Sequence, residues 1–177
     1  MVNSATSSES DFVTDEEYPS PEIAEWVRAW QSTRRLTYDL LRALPYAVMN
    51  FSPHPEFGTL IRQIRHVGDI QACYIAAIKS GKTDFQAQPR KRALEQSKEH
   101  VEAYLHHLDE ELLSTLRELP ADLRTRLIAW DSSQVTLLQH LVWLLQHESL
   151  HHGMWVFYAK IADLPLPQSW KEAWTLT

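Results

Sequence analysis

The sequence predicts an all-α protein built as an antiparallel-type four-helix bundle, and two observations indicate this fold. First, apolar residues recur at three- and four-residue steps in four segments of roughly 20–28 residues, which is the spacing of one face of an α-helix. Second, the 177 residues include only four glycines, and no segment shows the two-residue alternation typical of a strand. Loops of about 10–15 residues between the segments suit a helical bundle.

The first two helices have recognisable ends. Helix one is predicted over 21–44, because Ser20 is a preferred N-cap residue, a proline follows at the first helical position, and Pro45 stops the helix. Helix two is predicted over 60–78 and is closed by Gly81, a residue that commonly follows the last turn of a helix.

The third and fourth helices follow from leucine-rich periodic segments. Helix three is predicted over 94–116 and ends before Pro120. Residues 121–133 are expected to be irregular. Helix four is predicted to begin near Ser133 and to end at about Ile161.

Domain organisation is expected to be simple. Residues 1–20 are serine-rich and acidic and contain no Lys or Arg, so they are predicted to form a flexible acidic tail. Residues 21–177 are long enough to bury one core and are predicted to form a single four-helix domain.

Composition argues against several classes of partner. The net charge is −6 and no stripe of Lys and Arg is present, which disfavours nucleic acid as a ligand. Cys73 is the single cysteine, so no intramolecular disulfide can form. No apolar run approaches the roughly 18 residues that span a bilayer, and the N-terminus lacks the pattern of a signal peptide. These features predict a cytoplasmic protein with no membrane partner.

Two of the nine histidines have the spacing of metal ligands. His147 and His151 are four residues apart, which places them about 40° apart around helix four and roughly 6 Å apart along it. Two imidazoles at this offset can converge on one ion. The alternative is a buried pair bonded to carbonyl groups, to Asp69 or to Glu148. His140, two turns earlier, is interpreted as a packing residue bonded to a neighbouring helix rather than as a further histidine of the site.

A complete site needs a ligand from another helix, and His66 in helix two is the best candidate because apolar neighbours place it toward the core or its edge. Asp69, one turn later, is either an acceptor for the imidazole N–H or a solvated charge. Cys73 is either a further thiol at the site or a small buried hydrophobe, and the second interpretation is favoured.

The run from His147 to His151 also fits the H-E-x-x-H pattern of zinc peptidases. The extended form of that pattern needs a glycine where Met154 stands, and no other protease feature is present, so a peptidase is disfavoured.

Three segments together resemble the DinB-like (DinB/YfiT) superfamily of small four-helix metalloproteins, and they are residues 59–66, 136–141 and 147–154. His151 and Gly153 match the family's common H-R-G-Q sequence, whereas His152 replaces its arginine and Met154 its glutamine. The resemblance covers about residues 21–162. The two replacements leave the substrate open.

The resemblance implies one divalent transition-metal ion, Zn or Ni with Fe or Mn as alternatives, held by His66, His147 and His151. It implies homodimers, and a metal-dependent enzyme that activates a low-molecular-weight thiol, or water, for transfer to or hydrolysis of a small molecule. The alternative is a non-catalytic dimeric bundle that binds metal or a ligand in a stress response. Nearby aromatic residues either wall an apolar pocket or pack in the core; they are Trp26, Trp30, Trp143, Trp155 and Tyr158.

Overall fold

The computed structural model describes residues 17–87 and 91–176 and contains seven α-helices in these ranges. Four are long: α1 (Pro21–Ala43), α3 (Leu60–Ser80), α4 (Lys98–Arg117) and α6 (Leu137–Ile161). Three are short: α2 (Tyr46–Met49), α5 (Ala121–Thr125) and α7 (Gln168–Trp174). The long helices contact one another in the order α1, α4, α3, α6 and back to α1, which closes a bundle around one core. The predicted all-α fold is confirmed.

Hydroxyl side chains start each long helix, because they satisfy backbone N–H groups that have no partner within the helix. The oxygens of Ser20, Thr59, Ser97 and Thr136 each accept a hydrogen bond from the amide three residues later. Gly81 follows α3 with φ of 80°, a conformation that suits glycine. The predicted ends of helices one and two are therefore confirmed.

The sequence analysis is wrong about the segment before α6. Strands β1 (Ile128–Trp130) and β2 (Ser133–Val135) form an antiparallel hairpin, so Ser133 lies in a strand and does not start a helix. The amide of Thr83 donates to the carbonyl of Ala129 at 2.9 Å and ties this hairpin to the end of α3. Strands of three residues are too short to show a two-residue alternation, which explains why the sequence pattern missed them.

The start of the third predicted helix is also corrected. Residues Arg92–Gln96, which include Leu94, form a 3-10 turn, and α4 begins only after the Ser97 cap. The short turn places Glu95 beside Arg65 of α3, with 2.7 Å between Oε1 and Nε. Arg92 of the same turn lines a cleft beside α3.

The flexible tail is predicted over residues 1–20, and residues 1–16 lie outside the described residues. Tyr18 is buried against the bundle, and Glu17 forms an ion pair with Arg117 of α4 at 2.5 Å. At the other end of the chain, α7 docks through Trp170, whose buried indole N–H donates to the carbonyl of Leu36 at 2.7 Å. None of the helices in the described ranges is both long and apolar enough to span a membrane.

Gly68 sets how closely α3 and α4 approach. A Cβ atom at this position would lie 2.8 Å from Cε1 of Tyr104 and 3.0 Å from Cδ2 of Leu105. We expect Gly68→Ala to lower the free energy of unfolding by about 1–3 kcal/mol, because the added methyl group would overpack this contact. At an open helix position, the same replacement would instead raise the free energy of unfolding by up to about 1 kcal/mol. Denaturant unfolding measures the difference, and a gain in stability would contradict this packing.

Candidate metal centre

The bundle brings the three predicted ligands together. His147 and His151 lie one turn apart on α6, and His66 faces them from α3. One ring nitrogen from each of the three residues lies within 4.8 Å of the others. The ring centroids are 4.6 Å apart for His147 and His151, and 5.4 and 5.3 Å apart for His66 and these two rings.

The environment keeps the imidazoles of His147 and His151 neutral. Burial, with the neighbouring His151 and His66 rings acting in the same direction, lowers the pKa of His147 to about 3. Burial, followed by His66, lowers the pKa of His151 to about 4. Neutral imidazole is the form that binds a metal ion, so the electrostatics of the site favour coordination over protonation.

Two ring nitrogens of the cluster have no hydrogen-bond partner. The Nδ1 atoms of His147 and His151 are buried and unsatisfied within the described part of the chain. Leaving a buried polar atom unsatisfied costs about 1–3 kcal/mol, so a histidine pair without ligands is an unfavourable arrangement. One ring nitrogen from each of the three histidines is close enough to the others to share a cation, and the residues present therefore fit a metal ion.

The carboxylates considered as partners of the histidine pair are engaged elsewhere. Asp69 forms an ion pair with Arg65 and accepts a hydrogen bond from the Tyr104 hydroxyl at 3.3 Å. Glu148 is fully buried against α1, where it accepts from the Thr37 hydroxyl at 2.5 Å and pairs with Arg34 at 3.3 Å. Because its carboxylate is bound to α1, Glu148 does not have the geometry of a peptidase general base.

The other buried histidines have structural partners. His140 accepts from the Trp130 indole N–H at 3.1 Å, and its Nε2 lies 3.1 Å from the Tyr74 carbonyl. The packing interpretation of His140 is therefore confirmed. Nε2 of His152 lies 2.8 Å from the Thr37 hydroxyl. The remaining histidines are exposed, and they are His54, His100, His106 and His107.

A cleft of about 930 Å³ opens beside the cluster, and both His66 and His151 line it. Cys73 also lines it and is 3 % exposed, which fits a small buried residue. Burial raises the pKa of its thiol, with Asp69 adding to the shift. Among the described residues, the other lining groups are mostly polar, with some apolar ones: Glu56, Phe57, Arg62, Gln63, Arg65, Asp69, Ile70, Phe85, Gln86, Arg92 and Met154.

Of the two interpretations of the nearby aromatic residues, core packing is confirmed for Trp26, Trp30 and Trp155. Trp26 stacks on Trp30 with 5.5 Å between ring centroids, Trp155 is fully buried, and none of the three lines this cleft. Sequence reasoning missed the arginines of the cleft. The place of Arg62 beside the cluster could have been predicted, because it precedes His66 by four residues and therefore shares its helix face.

The sequence of this bundle matches a known family model. The model, described as the DinB superfamily, matches residues 29–155, a span that includes all three clustered histidines. The chain belongs to the DinB superfamily. The resemblance deduced from the histidine segments is thereby confirmed.

Solved structures agree with this membership at the level of the fold. A DinB-like protein from Bacillus cereus ATCC 10987 is similar to this DinB-superfamily chain with a TM-score of 0.65 at 17 % identity, covering 82 % of this chain and 95 % of that one. A DinB-like protein from Bacillus subtilis is similar with a TM-score of 0.62 at 18 % identity, covering 82 % and 96 %. No curated protein matches the chain.

The lowered histidine pKa values predict a loss of stability in acid. Below the unfolded value of 6.5, the unfolded chain binds protons that folded His147 and His151 do not bind. The free energy of unfolding of the metal-free protein should therefore fall as the pH decreases from 6.5 toward about 4. Denaturant unfolding at a series of pH values measures this slope.

The interval between about pH 6.5 and pH 5 is the informative one, because ordinary carboxylates titrate below it. His151→Ala should reduce the slope there but not abolish it, because burial also lowers the pKa values of His140, His147 and His152. Exposed His107→Ala should leave the slope unchanged. Equal slopes for all three proteins would contradict the prediction.

Proposed function

We propose that this DinB-superfamily protein is a metal-dependent enzyme with one divalent transition-metal ion, Zn or Ni with Fe or Mn as alternatives, held by His66, His147 and His151. It activates a low-molecular-weight thiol, or water, for transfer to or hydrolysis of a small molecule. The observation that supports this most is the convergence of three imidazoles at the side of a cleft of about 930 Å³.

Three protein ligands leave coordination positions open, which is typical of catalytic rather than structural sites. A divalent ion bound there would lower the pKa of a coordinated thiol or water, and would thereby supply a nucleophile near neutral pH. His66 and His151 line the cleft, so a small molecule in it can reach the cluster. Cys73 is a poor substitute for a free thiol, because burial raises its pKa and disfavours its thiolate.

The proposal is tested by loading the purified protein with Zn²⁺ or Ni²⁺ and following thiol consumption with a panel of model electrophiles. Turnover should require metal and should be lost in His147→Ala. Exposed His107→Ala should keep it. Bound metal without thiol-dependent or hydrolytic turnover across the panel would instead favour a non-catalytic binding bundle. The proposed location is the cytoplasm, where small thiols are kept reduced.

We propose a homodimer that uses the exposed apolar face of α6. Leu150, Phe157 and Ile161 share this face and are 66 %, 53 % and 50 % exposed. An amphipathic surface helix would present polar residues there, so apolar groups at these positions favour a second copy of the chain as the partner.

Phe157→Asp should raise the dimer dissociation constant at least about tenfold, because it places a charge in the centre of the apolar contact. Leu138→Asp is the matched control, since Leu138 is 41 % exposed near the start of the same helix but away from this face. Sedimentation over a concentration series measures both. A wild-type chain that stays monomeric throughout would refute the dimer.

A further inference from the structure

The arginines of the cleft beside the histidines differ in whether carboxylates balance their charge. Arg65 is 3 % exposed and forms ion pairs with Asp69 and with Glu95, so its charge is already balanced. Arg62 and Arg92 line the same cleft, and neither has a carboxylate partner among the described residues. Two guanidinium groups therefore remain available to a ligand.

Arg62 is positioned by its surroundings. Its side chain lies over Gly58, where an added Cβ would be 3.1 Å from Cδ and 3.5 Å from Nε of the arginine. The turn beneath it is fixed, because the Tyr158 hydroxyl lies 3.1 Å from the Phe57 carbonyl and 3.0 Å from the Gly58 carbonyl. The stem of Arg62 therefore lies against a fixed turn, while the side chain as a whole is exposed and its guanidinium is open to an anion in the cleft.

The spacing on α3 relates this cation to the histidine cluster. Arg62 precedes His66 by four residues, so the two side chains share one face and start about 6 Å apart along the helix. Arg92 reaches the same cleft from the 3-10 turn before α4. Glu56 is the one lining carboxylate that is not paired with Arg65, and it lies exposed on the loop before α3.

The charge balance of the cleft also favours an anion. Three neutral imidazoles would leave both positive charges of a divalent ion uncompensated by the protein, and Arg62 and Arg92 add to the same positive field. Guanidinium groups bind carboxylates through paired, charge-assisted hydrogen bonds. We infer that the cleft binds a small molecule bearing a carboxylate, with Arg62 and Arg92 holding the carboxylate while the reacting end reaches His66, His147 and His151. This inference rests on the proposed function.

Calorimetric titration of the Zn²⁺-loaded protein tests the inference by binding rather than turnover. The probes are mercaptosuccinate, a thiol with two carboxylates, and monothioglycerol, a neutral thiol of similar size. We expect mercaptosuccinate to bind at least about tenfold more tightly, since a charge-assisted hydrogen bond is worth roughly one factor of ten or more. Arg62→Gln should reduce this ratio severalfold, and Arg62→Gln combined with Arg92→Gln should reduce it to near one.

Arg35→Gln is the matched control. Arg35 is exposed on α1, does not line the cleft, and carries the same charge, so its replacement should leave the ratio unchanged. Thermal unfolding checks that all variants remain folded.

The outcomes separate the two proposals. Equal affinity of the wild type for both thiols, or an equal loss of both in Arg62→Gln, would overturn the carboxylate inference and leave the metal proposal standing. If neither thiol binds the metal-loaded protein, thiol activation in the proposed function is overturned.

Discussion

His151→Ala is expected to lower the affinity for Zn²⁺ or Ni²⁺ at least about a hundredfold, because even residues that only orient metal ligands typically change affinity 10–100-fold. The imidazole of His151 is 7 % exposed and lies 4.6 Å and 5.3 Å, between ring centroids, from His147 and His66. Its removal leaves two histidines. Chelator competition and elemental analysis of the purified protein measure the loss.

The matched control is His107→Ala, which removes an exposed imidazole from α4. We expect this variant to bind metal like the wild type. The metal-free His151→Ala protein should remain folded, because the change also removes a buried Nδ1 atom that has no hydrogen-bond partner among the described residues. Full metal occupancy in His151→Ala would place the ion elsewhere.

Arg34→Met is expected to lower the free energy of unfolding by about 3–5 kcal/mol, the cost of leaving buried carboxylates without their cation. Arg34 is 2 % exposed in the centre of the bundle. Its guanidinium lies 3.2 Å from Asp109 and 3.3 Å from Glu148, and it donates to the Gln71 amide oxygen at 2.6 Å. Denaturant unfolding of the metal-free protein measures the cost without a contribution from a bound ion.

Two further variants test the cause of this loss. Arg42→Met breaks an ion pair with Glu102 in which the arginine side chain is 56 % exposed, so it should cost less than about 1 kcal/mol. Glu148→Gln introduced into Arg34→Met should recover part of the stability, because it removes one of the uncompensated charges. Additive losses in the double variant would show that the two side chains do not interact.

The helices and the histidine pair were predictable because both follow from local rules. Apolar periodicity predicts α1, α3, α4 and α6, and Ser20 and Gly81 mark helix ends through single hydrogen bonds and one backbone conformation. A spacing of four residues on a helix places His147 and His151 side by side whatever surrounds them.

The partners across the bundle were not predictable, since they depend on how the helices pack. Arg34 looks like any polar residue of an amphipathic helix, and only the contacts of α1 with α4 and α6 show that it is buried between Asp109 and Glu148. The arginines of the cleft come from α3 and from a 3-10 turn, which are distant in the sequence. The hairpin of β1 and β2 is too short for any periodicity.

Adjacent positions of α6 serve two unrelated sets of neighbours. His147 and His151 meet His66, whereas Glu148 and His152 contact Thr37 of α1. A one-residue insertion just before this part of α6 would turn it by about 100° and move His147 and His151 into the places of Glu148 and His152. Protein engineers can therefore change positions 147 and 151 separately from 148 and 152, but loop grafts that alter the register of α6 would disrupt both sets of contacts at once.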